Sequence, residues 1–203
     1  MLLELLQLAD SALPVGAAAH SFGLEMMAEE GTLRPENLEA FLHDHLAETG
    51  VLDAIFVRRA LRGADSLILN AEFNARRPAR ESREATLKMG HRFCDLVQSV
   101  TGIPMPPSLH YPVAFGVAGA KLGIAEDSVV LAYLQQSITG LISAGQRLMP
   151  LGQIASSRMI WNLRPSVNQA ALRSESLEVS CFTPLPELAS MRHSSLETRL
   201  FIS

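Results

Sequence analysis

Imidazole can ligate metal, carry protons and change charge near neutral pH, so the six histidines come first: His20, His43, His45, His91, His110 and His193. No two are three or four positions apart, the spacing that places two ligands on one helix face. His43 and His45 are two apart and diverge by about 200° on a helix. Asp44 and Glu48 nearby read as surface groups. The pattern assigns no metal ligand and no tightly bound cofactor to this chain. A phosphate-cradling loop needs lysine after glycine, and neither Lys88 nor Lys121 follows one. In Gly140-Leu-Ile-Ser143-Ala-Gly145 the first glycine stands one residue too far away for a hydrolase elbow. Glu29-Glu30 and Glu126-Asp127 sit near predicted helix ends, where they answer to helix dipoles and solvent. No catalytic residue emerges. One polar constellation is left: Ser21 and Glu25 are four apart, His20 borders them, and all three are placed on one predicted helix. That group reads either as a local hydrogen-bond network or as a polar contact surface.

Charge is unevenly distributed. Residues 1–56 hold ten acids and one base, residues 57–92 nine bases and four acids, and the remainder balances within a net charge of −4. Only Lys88 and Lys121 are lysine; the other bases are arginine, the better partner for carboxylates at interfaces. Such a bipolar surface suits docking to proteins or to a second copy of the chain. The segment 58–92 could also bind nucleic acid, but it lacks interleaved tyrosine or tryptophan for stacking.

The elements that must carry these residues are helices. Leucine and alanine dominate, aromatics are 5%, and strand-like alternation is absent. Glycine and proline divide the chain into eight or nine predicted helices. The first covers Met1 to Ser11 and ends at the turn Leu13-Pro14-Val15-Gly16; the second covers about Ala18 to Glu30. Leu38, Phe41, Leu42 and Leu46 form a buried stripe, with an interruption expected at Gly50. Further helices are expected over 64–76, 80–101, 127–148, Pro150 to Leu163 and Val167 to Leu177. Gly116, Gly119 and Gly123 leave one helix face nearly bare, for close packing inside the core or at a dimer seam. The fold class is all-α: a compact multi-helix domain over residues 1–183, with an extended tail over 184–203. Pro112 to Ala125, the longest nearly apolar stretch, is too short and too interrupted to span a bilayer. Cys94 and Cys181 lack metal or redox spacing and fit a reducing compartment. With no basic leader after Met1, the expected location is the cytoplasm.

Four segments resemble the urease accessory protein family UreF. They are Leu6 to Glu25, containing Pro14, Gly16, His20, Ser21, Gly23 and Glu25; His110-Tyr-Pro-Val-Ala-Phe-Gly116; Arg147-Leu-Met-Pro150-Leu-Gly152-Gln153; and Ala189-Ser-Met191-Arg192-His193 followed by Arg199-Leu200-Phe201. The chain departs from the family at Ala18, at Ser194, where an acid is usual, and at Ile202, where relatives often carry arginine. The resemblance implies an all-α, dimeric, non-enzymatic scaffold. It implies binding to the accessory protein UreD (also called UreH), recruitment of the GTPase UreG, and nickel delivery to apo-urease by the assembled complex, without nucleic acid or membrane. Met191, Arg192, His193, Arg199, Leu200 and Phe201 are the expected partner-binding residues of a tail that mixes a thioether, two arginines and an aromatic, types enriched at interface hot spots, and the tail is expected to order on meeting UreD. Two other readings remain open: an all-α dimeric regulator that binds DNA or a small ligand through 58–92, and a helical hydrolase or lyase using His20 and Glu25.

Overall fold

Pro35, Pro112, Pro165 and Pro184 each stand in the first turn of a helix, where a missing backbone N–H leaves no hydrogen bond unmade. The computed structural model describes residues 1–176 and 178–203, so Leu177, the last residue of one predicted helix, lies outside it. Among the described residues the regular elements are all helical. They are α1 (Leu2–Leu8), α2 (Leu24–Glu29), α3 (Pro35–His45), α4 (Val51–Leu61), α5 (Ser66–Ala75), α6 (Arg80–Thr101), α7 (Tyr111–Lys121), α8 (Glu126–Leu148), α9 (Gln153–Asn162), α10 (Arg164–Arg173) and α11 (Pro184–Arg192), with short 3₁₀ turns between some of them. The all-α expectation holds. No helix among them is long and apolar enough to cross a membrane.

The core is built on α4. Leu52, Ala54, Ile55, Phe56 and Val57 are fully buried on successive positions, so this helix is enclosed on every side rather than amphipathic. Each large side chain removed from water there contributes about 2–3 kcal/mol. α7 lies against α4 because Gly116 brings its backbone onto Val57 and Ala60, where any added methyl would overlap the carbonyl of Val57. Gly119 faces Leu61 and Val129 in the same way. The bare face thus serves the core and not an outer seam. Gly123 does not share it, since it follows the end of α7 and has open space around it. Phe93, Tyr111, Phe115 and Tyr133 join α6, α7 and α8 through ring pairs 5.4 to 6.0 Å apart.

Several helix ends shift by two to four residues, as in Leu2–Leu8, Gln153–Asn162 and Arg164–Arg173, and two stretches depart further from the periodicity. Gly50 does not break the chain: it keeps helical angles, and a π-helical turn over Leu46–Gly50 links α3 to α4. Leu46 and Leu134 pack over Gly50, so tertiary contact overrides its weak helix propensity. The helix expected over Ala18 to Glu30 is also corrected. A 3₁₀ turn covers Ala17–Ala19, and α2 begins only at Leu24. Between them Phe22 and Gly23 have φ of 51° and 90°, values no right-handed helix contains. Ser21 and Glu25 therefore do not share a helix face. α11, in turn, packs on α2 and α6.

Candidate functional site

The first family-like segment begins with a tight turn. Val15 is buried and Pro14 exposed, while Gly16 has φ 82° and lies against the Arg92 guanidinium. The chain next turns His20 inward, with its Nδ1 2.6 Å from the hydroxyl of Ser203. The N–H of Ser21 donates to the carbonyl of Ser203 at 2.5 Å. At the next bend the missing side chain of Gly23 leaves room for the Pro186 carbonyl of α11. Phe22, forced into the left-handed region beside it, is strained at a cost of order 1 kcal/mol. Glu25 follows in the first turn of α2 and is only 6% exposed.

Glu25 binds the end of the chain. Its Oε1 accepts the N–H of Leu200 at 2.6 Å, and its Oε2 accepts the N–H of Phe201 at 3.2 Å and lies 2.7 Å from Nε2 of His193. His193 is fully buried, and its other nitrogen faces Glu81 of α6 at 3.0 Å. Nearby, the N–H of Ile202 donates to the carbonyl of Ala19. Arg147 of α8 donates to the carbonyls of Ala18 and Leu200, and its guanidinium lies 4.2 Å above the Phe201 ring. A charge stacked on an aromatic face adds about 1 kcal/mol when partly desolvated.

The structure thus brings the N-terminal and C-terminal segments into one cluster but divides their side chains between two faces. His20, Ser21, Gly23, Glu25, His193 and Phe201 point inward, whereas Pro14, Met191, Arg192, Arg199 and Leu200 are exposed. Arg192 pairs with Glu30 at 2.8 Å. Sequence reasoning gave no role to Glu81 or Ser203, and placed Arg147 only in a segment framing the core or a dimer seam. Arg147 stood inside a segment already singled out, yet no spacing rule links it to a residue 53 positions away. The hydrolase reading loses its groups, because Glu25 is occupied by backbone amides and His193, and His20 by Ser203.

Beside this cluster lies a pocket of about 170 Å³ that reaches inward from a mouth lined by the exposed Asp10, Ser11 and Ala18. Phe201, Phe22 and Arg147 wall one side, and the polar residues His45, Thr49, Asp53, Arg77 and Tyr133 line another. Asp53 pairs with Arg77 and accepts the hydroxyl of Tyr133 at 2.8 Å. Burial pushes the Asp53 carboxyl up, with Arg77 and Tyr133 opposing. Burial, reinforced by Arg77, lowers His45 to about 3. Burial, with Lys88 and Arg92 adding to it, lowers His20 to about 4. Both rings are neutral at pH 7. Among the described residues, no group of three or more His, Cys, Asp or Glu is arranged to hold a metal ion.

The arginine-rich segment is largely engaged within the chain. Arg58, 2% exposed, pairs with Glu126 at 2.5 Å and Asp127 at 2.9 Å, and donates to Ser174 and the carbonyl of Ala171. Arg62 shares Glu126, Arg59 and Arg76 share Glu72, Arg77 holds Asp53, and Arg80 holds Glu84. Arg58, Arg59, Arg62 and Arg77 brace one helix against another, whereas Arg76 and Arg80 pair within a turn of their own segments, so most of the charge is matched by carboxylates rather than left free for phosphates.

The comparisons with known proteins agree with the arrangement of segments. The UreF family model matches residues 33–164. A urease accessory protein UreF from Nostoc sp. (strain PCC 7120) is 35% identical, covering 99% of this chain and 95% of that protein. Those from Paenarthrobacter aurescens and Cereibacter sphaeroides are 33% and 35% identical, over 99% and 98% of this chain. The protein is therefore a member of the UreF family of urease accessory proteins, non-catalytic in role, and takes part in urease maturation.

Proposed function

We propose that this chain is the adaptor of a urease maturation complex in the cytoplasm. Its outer tail face binds a UreD (UreH) partner, and the pair recruits the GTPase UreG, so that the assembly delivers nickel to apo-urease. The observation that carries this reading is the division of the C-terminal segment. Glu25, Arg147 and the carbonyl of Ala19 hold its backbone inward, while Met191, Arg192, Arg199 and Leu200 are presented to solvent. Leu185 and Leu188 of α11, with Phe182 just before it, extend this exposed apolar surface. A fixed backbone carrying exposed arginine, thioether and leucine side chains is pre-organised, which lowers the ordering cost of binding. Nickel is cargo of the assembled complex, with no resident cofactor on this chain. Self-association into a homodimer would use exposed apolar side chains such as Leu2, Leu3 and Leu6 of α1 or Ile154 and Trp161 of α9. The engagement of Arg58 to Arg80 with carboxylates argues against a DNA-binding role.

The test is co-purification. Tagged full-length protein co-expressed with UreD and UreG homologues retains both, and deletion of residues 184–203 abolishes UreD capture. Retention of UreD by the truncated chain sinks the assignment of the tail. Sedimentation showing a monomer at micromolar concentration sinks the homodimer.

A further inference from the structure

We propose that the pocket beside Phe22 and Phe201 is a binding site for a small uncharged molecule carrying a primary amide on an apolar body. The α8 side of the pocket is a stripe of Tyr133, Ser137, Gly140, Ala144 and Arg147, three or four residues apart on one helix face. Gly140 stands at its middle, with nothing within 4 Å of the point where a side chain would begin. Glycine inside a helix costs stability relative to alanine, and no neighbouring backbone demands it here, as Leu109 and His110 do at Gly90. What the missing side chain leaves is room in the pocket. A second wall carries another departure from regular helix. The π-helical turn over Leu46–Gly50 places Thr49 at the pocket, four residues after His45 at the end of α3. Such turns occur mostly as single insertions in helices, frequently at functional sites.

The polar wall has hydrogen-bonding capacity to spare. Among the described residues the ring of His45 and the hydroxyl of Thr49 make no hydrogen bond, and Nε of Arg77 is buried without a partner. The neutral His45 ring has one donor and one acceptor nitrogen, Thr49 can do either, and Arg77 only donates. Asp53 pairs with Arg77 and Glu187 lies 3.9 Å from it, so acids outnumber bases by one at this wall. A carboxylate ligand would add to that excess, and an ammonium has no acceptor to give Arg77 or Thr49. A hydrocarbon leaves every one of these groups unpaired. A primary amide supplies one carbonyl and two N–H bonds without charge. The other walls, among them Leu13, Val15, Phe22, Leu141 and Phe201, are apolar and suit a ring. The volume of about 170 Å³ exceeds the roughly 150 Å³ of an apolar cavity that admits benzene. Exposed Asp10, Ser11, Ala18 and Ser143 at the mouth leave a way in with no segment displaced.

Ligand binding to the full-length chain tests the site, with benzamide as the probe and benzoate and ethylbenzene as counterparts of similar size. Saturation-transfer NMR is expected to show benzamide bound with a Kd of about 1 mM or tighter. Benzoate and ethylbenzene bind about tenfold more weakly or worse, one adding an anion beside Glu187 and the other leaving the polar wall unpaired. Gly140→Leu fills the room along α8 and weakens benzamide by about tenfold or more, with a melting temperature no lower than that of the parent. Thr49→Val keeps the shape, removes the hydroxyl, and weakens benzamide while leaving ethylbenzene unchanged. No binding of benzamide at about 10 mM overturns the site, and full affinity in Gly140→Leu does the same by placing the binding elsewhere. Equal affinity for the three compounds overturns the amide. None of these measurements involves a partner protein, so a failure of UreD capture by the tail leaves their outcome untouched.

Discussion

Glu25 and His193, separated by 168 positions in the chain, lie 2.7 Å apart in the interior, and the carboxylate that meets the imidazole also accepts two backbone amides from the end of the chain. The first turn of α2 and the C-terminal segment are thereby one structural unit.

Removing that carboxylate strands a buried ring and two amides. Glu25→Ala is expected to cost about 3 kcal/mol, the scale for breaking a buried charged pair. In a chain of this length that lowers the melting temperature by about 6–12 °C. Glu25→Gln keeps the shape and part of the hydrogen bonding, and loses less. A thermal melt of the two variants beside the parent decides it: a shift below about 1 °C for Glu25→Ala contradicts the clamp.

Stability should fall with acid before most carboxylates protonate. Folding lowers His20 to about 4, His45 to about 3 and His110 to about 4, in each case mainly through burial. Below the unfolded value near 6.5, the unfolded chain takes up protons that these rings refuse when folded. Their contribution is complete above about pH 6.5 and is lost as pH falls toward 4, at up to about 1.4 kcal/mol per pH unit for each ring. His110 bonds Thr86 through Nδ1 at 2.8 Å, and His110→Gln reduces the slope by roughly one proton. Urea denaturation at pH 7, 6 and 5 measures it, and identical slopes for parent and variant refute it.

Two glycines within helices should respond oppositely to alanine. At Gly90 a methyl would run into the backbone of Leu109 to Tyr111, whereas at Gly140 nothing lies within 4 Å. Gly90→Ala costs about 3 kcal/mol, and Gly140→Ala gains about 0.5–1 kcal/mol from lower chain entropy in the unfolded state. Midpoints of chemical denaturation that move in the same direction for both would refute the α6–α7 contact.

The outward side chains of the tail should affect binding without affecting folding. Met191→Ala and Arg199→Ala change stability by no more than about 0.5 kcal/mol. Each weakens capture of the UreD partner by about tenfold or more, as hot-spot truncations do. Titration calorimetry with purified partner measures this, and wild-type affinity in the double variant removes these residues from the interface.

The sequence by itself determined the class of fold and most helix boundaries. Proline can occupy the first turn but not the interior of a helix, and the apolar spacing of Val130, Leu134, Ile138 and Leu141 places one stripe of α8 inside. It also determined the family, since the matching segments occur in order along the chain. Only tertiary structure decided the rest. Gly50 is helical because Leu46 and Leu134 pack over it, and the break before α2 exists because the Pro186 carbonyl occupies the space beside Gly23. The same holds for the candidate site. Periodicity describes what lies within one turn of a residue, whereas the partners of Glu25 come from positions 193, 200 and 201, brought to it by the packing of α11 on α2 and α6. Types and spacing alone put His193 and Phe201 on the same footing as Met191 and Arg199. Their burial, a property of the folded surface, separates the residues that hold the tail from those that it presents.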